Sequence, residues 1–182
     1  MSLRLFVAVT LSDDIAALLV ALQKSVPGAK WQPGENLHLT LRFFGEVTEP
    51  VAHEIDVELA GLAGAVSPFA LQLKGAGFFG GAAPRALWIG AANSPALSRL
   101  AALCERTARR VGLKPESRKF APHVTLAYLG GAEIERVHAF EARHSLFEAP
   151  PFQVEAVSLY SSWTRKSASS LYRLEAEYSL AR

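Results

Sequence analysis

The chain has 182 residues, half of them hydrophobic, with 19 Lys and Arg against 17 Asp and Glu for a formal net charge of +2. This composition excludes a disordered chain, and so mild a charge lacks the basic footprint of a protein that grips long nucleic acid regardless of sequence. A lone cysteine, Cys104, excludes an intramolecular disulfide and a C-x-x-C zinc or redox motif.

The length suits one domain over residues 1–182, or two small lobes sharing one core. The opening run LRLFVAV is too short to cross a membrane, and Ser12, Asp13 and Asp14 follow it at once, unlike a secretory signal. A soluble cytoplasmic protein is expected.

In chain order, Leu3 to Thr10 reads as a strand, and Ser12 can cap a helix with apolar positions Ile15, Leu18, Leu19 and Leu22 that ends at Pro27 and Gly28. Pro33, Gly34 and Asn36 turn the chain into a strand opening at His38 and closing at Gly45 and Pro50, before a helix near Val51 to Ala63. Phe69 to Lys74 and Arg85 to Ala91 read as strands around a glycine-rich loop, GAGFFGGAAP, which has no Lys-Ser or Lys-Thr to make it a P-loop. Asn93 or Ser94 opens a helix to about Val111, stopped by Gly112. A second strand opens at His123 and turns at Gly130 and Gly131. A charged helix over Glu133 to Arg143 and two strands, Phe152 to Ser161 and Leu171 to Leu180, complete the chain.

One phrase occurs twice. HLTLRFFG at 38–45 and HVTLAYLG at 123–130 share His, an aliphatic residue, Thr, Leu, any residue, an aromatic, an apolar residue and Gly, 85 positions apart. Strict strand alternation puts His38, Thr40 and Arg42 on one face and His123, Thr125 and Ala127 on one face, with the His and Thr of each copy about 7 Å apart. On the same alternation Phe43 and Tyr128 face away. Two imidazoles with an ordinary pKa of about 6.5 can serve as general base and general acid, and two hydroxyls can donate to anionic oxygens. Displacement at phosphorus needs this set. Neither copy carries a second ligand at metal-binding spacing, so no metal and no cofactor are expected.

These octapeptides resemble the paired H-x-T-x motifs of the two-histidine (2H) phosphoesterases, in particular the LigT-like RNA 2′,3′-cyclic phosphodiesterases also described as 2′-5′ RNA ligases. LRLFVAVTL, WQPGENLHLTL, PRALWIG and FQVEAVSLYSS are also similar to segments of that family, so the likeness spans nearly the whole chain. It implies a bilobal α+β fold, with pseudo-twofold-duplicated antiparallel sheets backed by helices and both motif strands in a central cleft. It further implies opening of cyclic phosphate ends of RNA or small nucleotides to 2′-phosphates, with His123 as base, His38 as acid and Thr40 and Thr125 on the phosphate. The reverse 2′-5′ ligation is associated with the same family.

The second copy departs from the family pattern where an Arg commonly follows HVTLA; here Tyr128 stands there. Arg42, Arg118 with Lys119, Phe78 or Phe79, and Tyr160 with the loop residues Trp163, Arg165 and Lys166 are further candidate substrate contacts. His53, His138 and His144 read as surface residues, and Cys104 as helix packing. The chain is expected to act as a monomer. A noncatalytic RNA-binding module and an esterase for another cyclic phosphate, such as that of an ADP-ribose derivative, are the alternatives.

Overall fold

Start and stop signals in the sequence mark the helices of the computed structural model, which describes residues 2–164 and 169–181. Its elements are β1 (Ser2–Thr10), α1 (Asp13–Ala21), β2 (Ala29–Trp31), a 3-10 turn (Gly34–Asn36), β3 (His38–Thr48), α2 (Glu49–Ala63), β4 (Phe69–Leu71) and β5 (Leu73–Phe79). They continue with β6 (Ala86–Ala91), α3 (Pro95–Arg110), β7 (His123–Leu129), α4 (Ile134–His144), β8 (Phe152–Val154), β9 (Ala156–Trp163) and β10 (Leu171–Ser179). The Ser12 and Ser94 hydroxyls accept from the backbone N–H of Ile15 and Leu97, capping α1 and α3. Gly112, at φ +80°, lets the chain leave α3 with the Gly112 and Leu113 N–H groups donating to the carbonyls of Arg109 and Ala108.

Seven antiparallel strands run in the order β10-β9-β1-β3-β7-β6-β5, and β2 pairs with β7. The two motif strands are therefore neighbours at the centre of the sheet. Their one register pair is Leu39 with Val124. β1, β9 and β10 extend the sheet beyond β3, while β6 and β5 extend it beyond β7, which gives the duplicated arrangement its two halves.

Helices cover one face: α2 packs on β1, β3, β9 and β10, α3 on β3, and α4 on β5. Alternate strand residues such as Leu5, Val7, Val9, Leu39, Leu87, Ile89 and Val124 are buried under those helices in one apolar cluster that draws on both halves. Each such side chain contributes roughly 1.5–3 kcal/mol by leaving water. The opposite face is the open one. No described helix is long and apolar enough to cross a membrane.

Two predicted strands divide. Phe69 to Lys74 splits at Gln72, so β4 leaves the main sheet to pair with β8, and Glu155 likewise separates β8 from β9. Half of the predicted glycine-rich loop is strand, since Gly75 to Phe79 belong to β5 and are paired with β6 from Ala76 on. Trp163, expected in a loop, is instead a strand residue of β9 opposite Leu171.

Candidate active site

The Leu39–Val124 pair sets the geometry of the open face. In an antiparallel register it places His38 across from Thr125 and Thr40 across from His123. Side chains directly across a ladder lie about 5 Å apart and diagonal ones about 7–8 Å. The two imidazoles thus occupy opposite corners of a four-residue patch, with a threonine hydroxyl at each remaining corner.

Both strands break alternation at the same place. Opposite β1, Val7 pairs with Arg42 and Ala8 with Thr40, leaving Leu41 as an extra residue. Opposite β6, Leu87 pairs with Ala127 and Trp88 with Thr125, leaving Leu126 extra. Each is a β-bulge, which reverses the facing of the residues that follow it, and in β3 a second shift, opposite Leu5 and Phe6, leaves Phe44 extra further on. Arg42 consequently leaves the histidine face, against the expectation from alternation. Its guanidinium lies under the sheet, 11% exposed, in a 2.6 Å ion pair with Glu105 of α3, and donates to the carbonyls of Phe43 and Lys114. Phe43 and Tyr128, expected to face away, turn onto the open face. Arg4 of β1 sits 5.1 Å above the Phe43 ring.

Each histidine is tethered identically. His38 Nδ1 lies 2.6 Å from the Asn36 carbonyl oxygen, and His123 Nδ1 lies 2.7 Å from that of Ala121. A carbonyl only accepts, so Nδ1 carries the proton and Nε2 is left as the working nitrogen in both rings. Asn36 is itself fixed by donating from Nδ2 to the Ser170 carbonyl at 2.9 Å. Burial pushes the His38 imidazole down to about 4; the tether to Asn36 opposes this, and the charge on nearby His123 adds to it. His123 is also lowered, first by burial and then by the Arg118 guanidinium, with the Ala121 tether acting against both.

Aromatic side chains account for that burial. Phe6 stacks on His38 at 4.7 Å, Tyr172 meets the ring edge-on at 5.3 Å, and Tyr160 lies 6.3 Å away, its hydroxyl bonded to Thr10. Burial pushes the Tyr172 phenol up to about 12, and the Tyr128 hydroxyl, in hydrogen-bond contact with it, adds to the rise. Around His123 stand Phe79 at 4.8 Å, edge-on, and Trp88 at 6.3 Å. The Trp88 indole rests against Gly77, where an added Cβ would lie 2.3 Å from the ring.

Tyr160 is therefore on the open face. Arg118 bears on His123 while holding Glu116 in an ion pair. Phe78 is not in the cleft: it pairs with Leu87 on the covered face and meets His138 of α4 at 5.2 Å, so Phe79 is the member of the pair that reaches a motif histidine. Trp163 donates its indole N–H to Ser161 and lies under Arg173. Arg165 and Lys166 fall outside the described residues. Cys104 is fully buried, as its helix position implied, and burial pushes its thiol up to about 12. His144 is more than a surface residue, since its ring packs 4.5 Å from Phe140. Among the described residues no cluster of three or more His, Cys, Asp or Glu could hold a metal ion.

The sequence model of the 2′-5′ RNA ligase superfamily matches residues 6–164, a span that takes in both motifs. The chain belongs to this superfamily. Among curated relatives, the RNA 2′,3′-cyclic phosphodiesterase of Aquifex aeolicus is 30% identical over 183 residues, covering 97% of each chain. The protein of the same name from Aeropyrum pernix is 43% identical over 100 residues, 54% of this chain and 56% of that one. Among solved structures, a Thermus thermophilus protein superposes with a TM-score of 0.81 at 26% identity over 97% of both chains. E. coli LigT, crystallised with 3′-AMP, shares the fold with a TM-score of 0.79 at 24% identity over the full length of both.

Within this superfamily fold, the residues that sequence reasoning overlooked are those brought by neighbouring strands. Phe6 and Trp88 lie in the apolar runs LRLFVAV and PRALWIG, yet both face the cleft. A signal for the bulges was present. Leu126 and Ala127 are adjacent apolar residues that both need burial, which an unbroken alternation cannot give them.

Proposed function

We propose that the protein opens 2′,3′-cyclic phosphodiester ends of RNA or nucleotides to 2′-phosphates by two-histidine acid/base chemistry. One observation carries the reading: two imidazoles, each with Nδ1 held by the carbonyl two residues before it, keep Nε2 free on one face beside two threonine hydroxyls. Membership of the superfamily and the names of the curated relatives support the same reaction.

In this mechanism His123 Nε2 takes a proton from water as the water oxygen bonds to phosphorus. The P–O3′ bond breaks on the opposite side, and His38 Nε2–H protonates the departing O3′. The product holds a 2′-phosphate and a free 3′-hydroxyl, and one proton has passed from His38 to His123 overall, to be returned through solvent. Thr40 and Thr125 donate to the nonbridging oxygens, where negative charge builds. Run backward with an RNA hydroxyl in place of water, the same groups support 2′-5′ ligation. His38, His123, Thr40 and Thr125 all come from one chain, so a monomer suffices, and the composition fits action in the cytoplasm.

Phosphorus NMR of a 2′,3′-cyclic mononucleotide incubated with the protein tests the reading, with the 2′-phosphate as the expected product. His38→Ala and His123→Ala are each expected to lower turnover about 10²–10⁴-fold. Full activity in both variants would sink the site.

A further inference from the structure

Lys30 is a cation that the two-histidine chemistry leaves unused, and strand pairing fixes its place. In β2 it stands directly opposite Tyr128, while the next residue, Trp31, stands opposite Ala127 and points under the sheet to Phe140, 6.0 Å away. Lys30 therefore shares the open face with Tyr128, Thr125 and His123, and it is exposed there. The strand that carries it is pinned. Gln32 N–H donates to the Leu126 carbonyl at the bulge, and the Gln23 side-chain amide donates to the Gln32 carbonyl at 2.7 Å.

Among the described residues, Arg118, Arg4 and Lys30 are cations that border the cleft, and the first two already have partners. Arg118 is in an ion pair with Glu116, and Arg4 stands opposite Glu46 with its guanidinium over Phe43. Among the described residues no acidic group pairs with Lys30. Its neighbours are instead hydroxyls: Tyr128 beside it and Tyr172 in contact with Tyr128. An unneutralised ammonium next to phenolic donors suits one phosphate oxygen cluster. Because Leu126 is the bulge residue, Tyr128 lies two pleats beyond Thr125, about 7 Å by strand rise. That is within reach of the next phosphate of an extended single strand whose terminal phosphate lies between the histidines.

We propose that Lys30, with the Tyr128 hydroxyl beside it, binds the phosphodiester that joins the terminal nucleotide of an RNA chain to its neighbour. The inference rests on the reading that the end phosphate occupies the histidine patch. It specifies the substrate as the end of an RNA strand, in preference to a free cyclic mononucleotide.

The test is calorimetric titration of the full chain with a dinucleotide ending in a 2′-phosphate and with a nucleoside 2′-phosphate, for wild type, Lys30→Gln and Lys30→Arg. Wild type is expected to bind the dinucleotide about tenfold more tightly than the mononucleotide. That ratio is expected to collapse towards one in Lys30→Gln and to persist in Lys30→Arg. The dependence of log affinity on log salt for the dinucleotide should flatten by about one unit in Lys30→Gln. A ratio of one in wild type, or an unchanged ratio in Lys30→Gln, overturns the subsite. Ring opening of a cyclic mononucleotide by wild type is read separately, so loss of the catalytic reading and loss of the subsite give different results.

Discussion

The depressed affinity of His38 for a proton has a kinetic consequence that two pH profiles can measure. In the free protein its imidazole sits at about 4 and is neutral at pH 7, yet the proposed acid must hold a proton when O3′ departs. The substrate supplies the correction. A phosphodiester anion about 4 Å from the imidazolium, at an effective dielectric of about 20, stabilises the charged form by about 4 kcal/mol. At about 1.4 kcal/mol for each pH unit, this carries His38 from about 4 back into the neutral range. Since kcat/KM reports the free enzyme and kcat the complex, kcat/KM should fall with rising pH from the acid range onward. The kcat profile should stay level into the neutral range before falling, and KM should climb between the two limbs. Steady-state opening of a cyclic mononucleotide from about pH 4 to about pH 9 measures both, the values belonging to the histidine pair as a whole. Coincident alkaline limbs would refute the argument, because they would mean that substrate does not recharge the acid.

The same imidazole should destabilise the fold in acid. Its folded value of about 4 lies below the reference 6.5, so the unfolded chain takes up the proton first as pH falls; stability present above 6.5 is lost down to 4, by about 3 kcal/mol. Urea titrations at both ends of that window check it, and His38→Gln should flatten the difference. Arg42→Gln should cost about 2 kcal/mol, since it strips Glu105 of its 2.6 Å partner and frees two carbonyls. Its KM should hold steady, whereas a raised KM at full stability would restore Arg42 to the substrate. Gly77→Ala forces a Cβ to within 2.3 Å of the Trp88 ring and should destabilise by about 1–3 kcal/mol with a shift in tryptophan fluorescence. Unaltered melting and emission would show that the indole does not depend on that glycine.

The parts of the molecule readable from sequence are those set by local chemistry. Ser12 and Ser94 announced their helices through capping, and the repeated octapeptide announced two histidines and two threonines on one face, which the register bears out. Two matters were set by strand pairing instead. Strict alternation assigned Arg42 to the cleft and Tyr128 away from it, and the bulges at Leu41 and Leu126 reverse both. Phe78 and Phe79 are adjacent, so sequence could not say which reaches His123 until β5 was in register with β6. Tyr172 lies far along the chain from His38 and meets it because β10 closes the sheet on that side.

The repeat is symmetric in backbone and unequal in surroundings, and that inequality bears on which histidine gives the proton. Both rings use the same tether and the same bulge, so the motifs alone make them interchangeable. Their neighbours differ: Phe6, Tyr160 and Tyr172 enclose His38, while Phe79 and Trp88 flank His123. In the drier site a bound anion is screened less and acts more strongly on a proton. His38 is thus the imidazole whose charge responds most to the arrival of a phosphate, neutral while the cleft is empty and protonated once it is filled. In the proposed mechanism His123, closer to solvent, is the ring that keeps its lone pair for water. This difference in burial favours His38 as acid and His123 as base, a direction that the two matching octapeptides could not give.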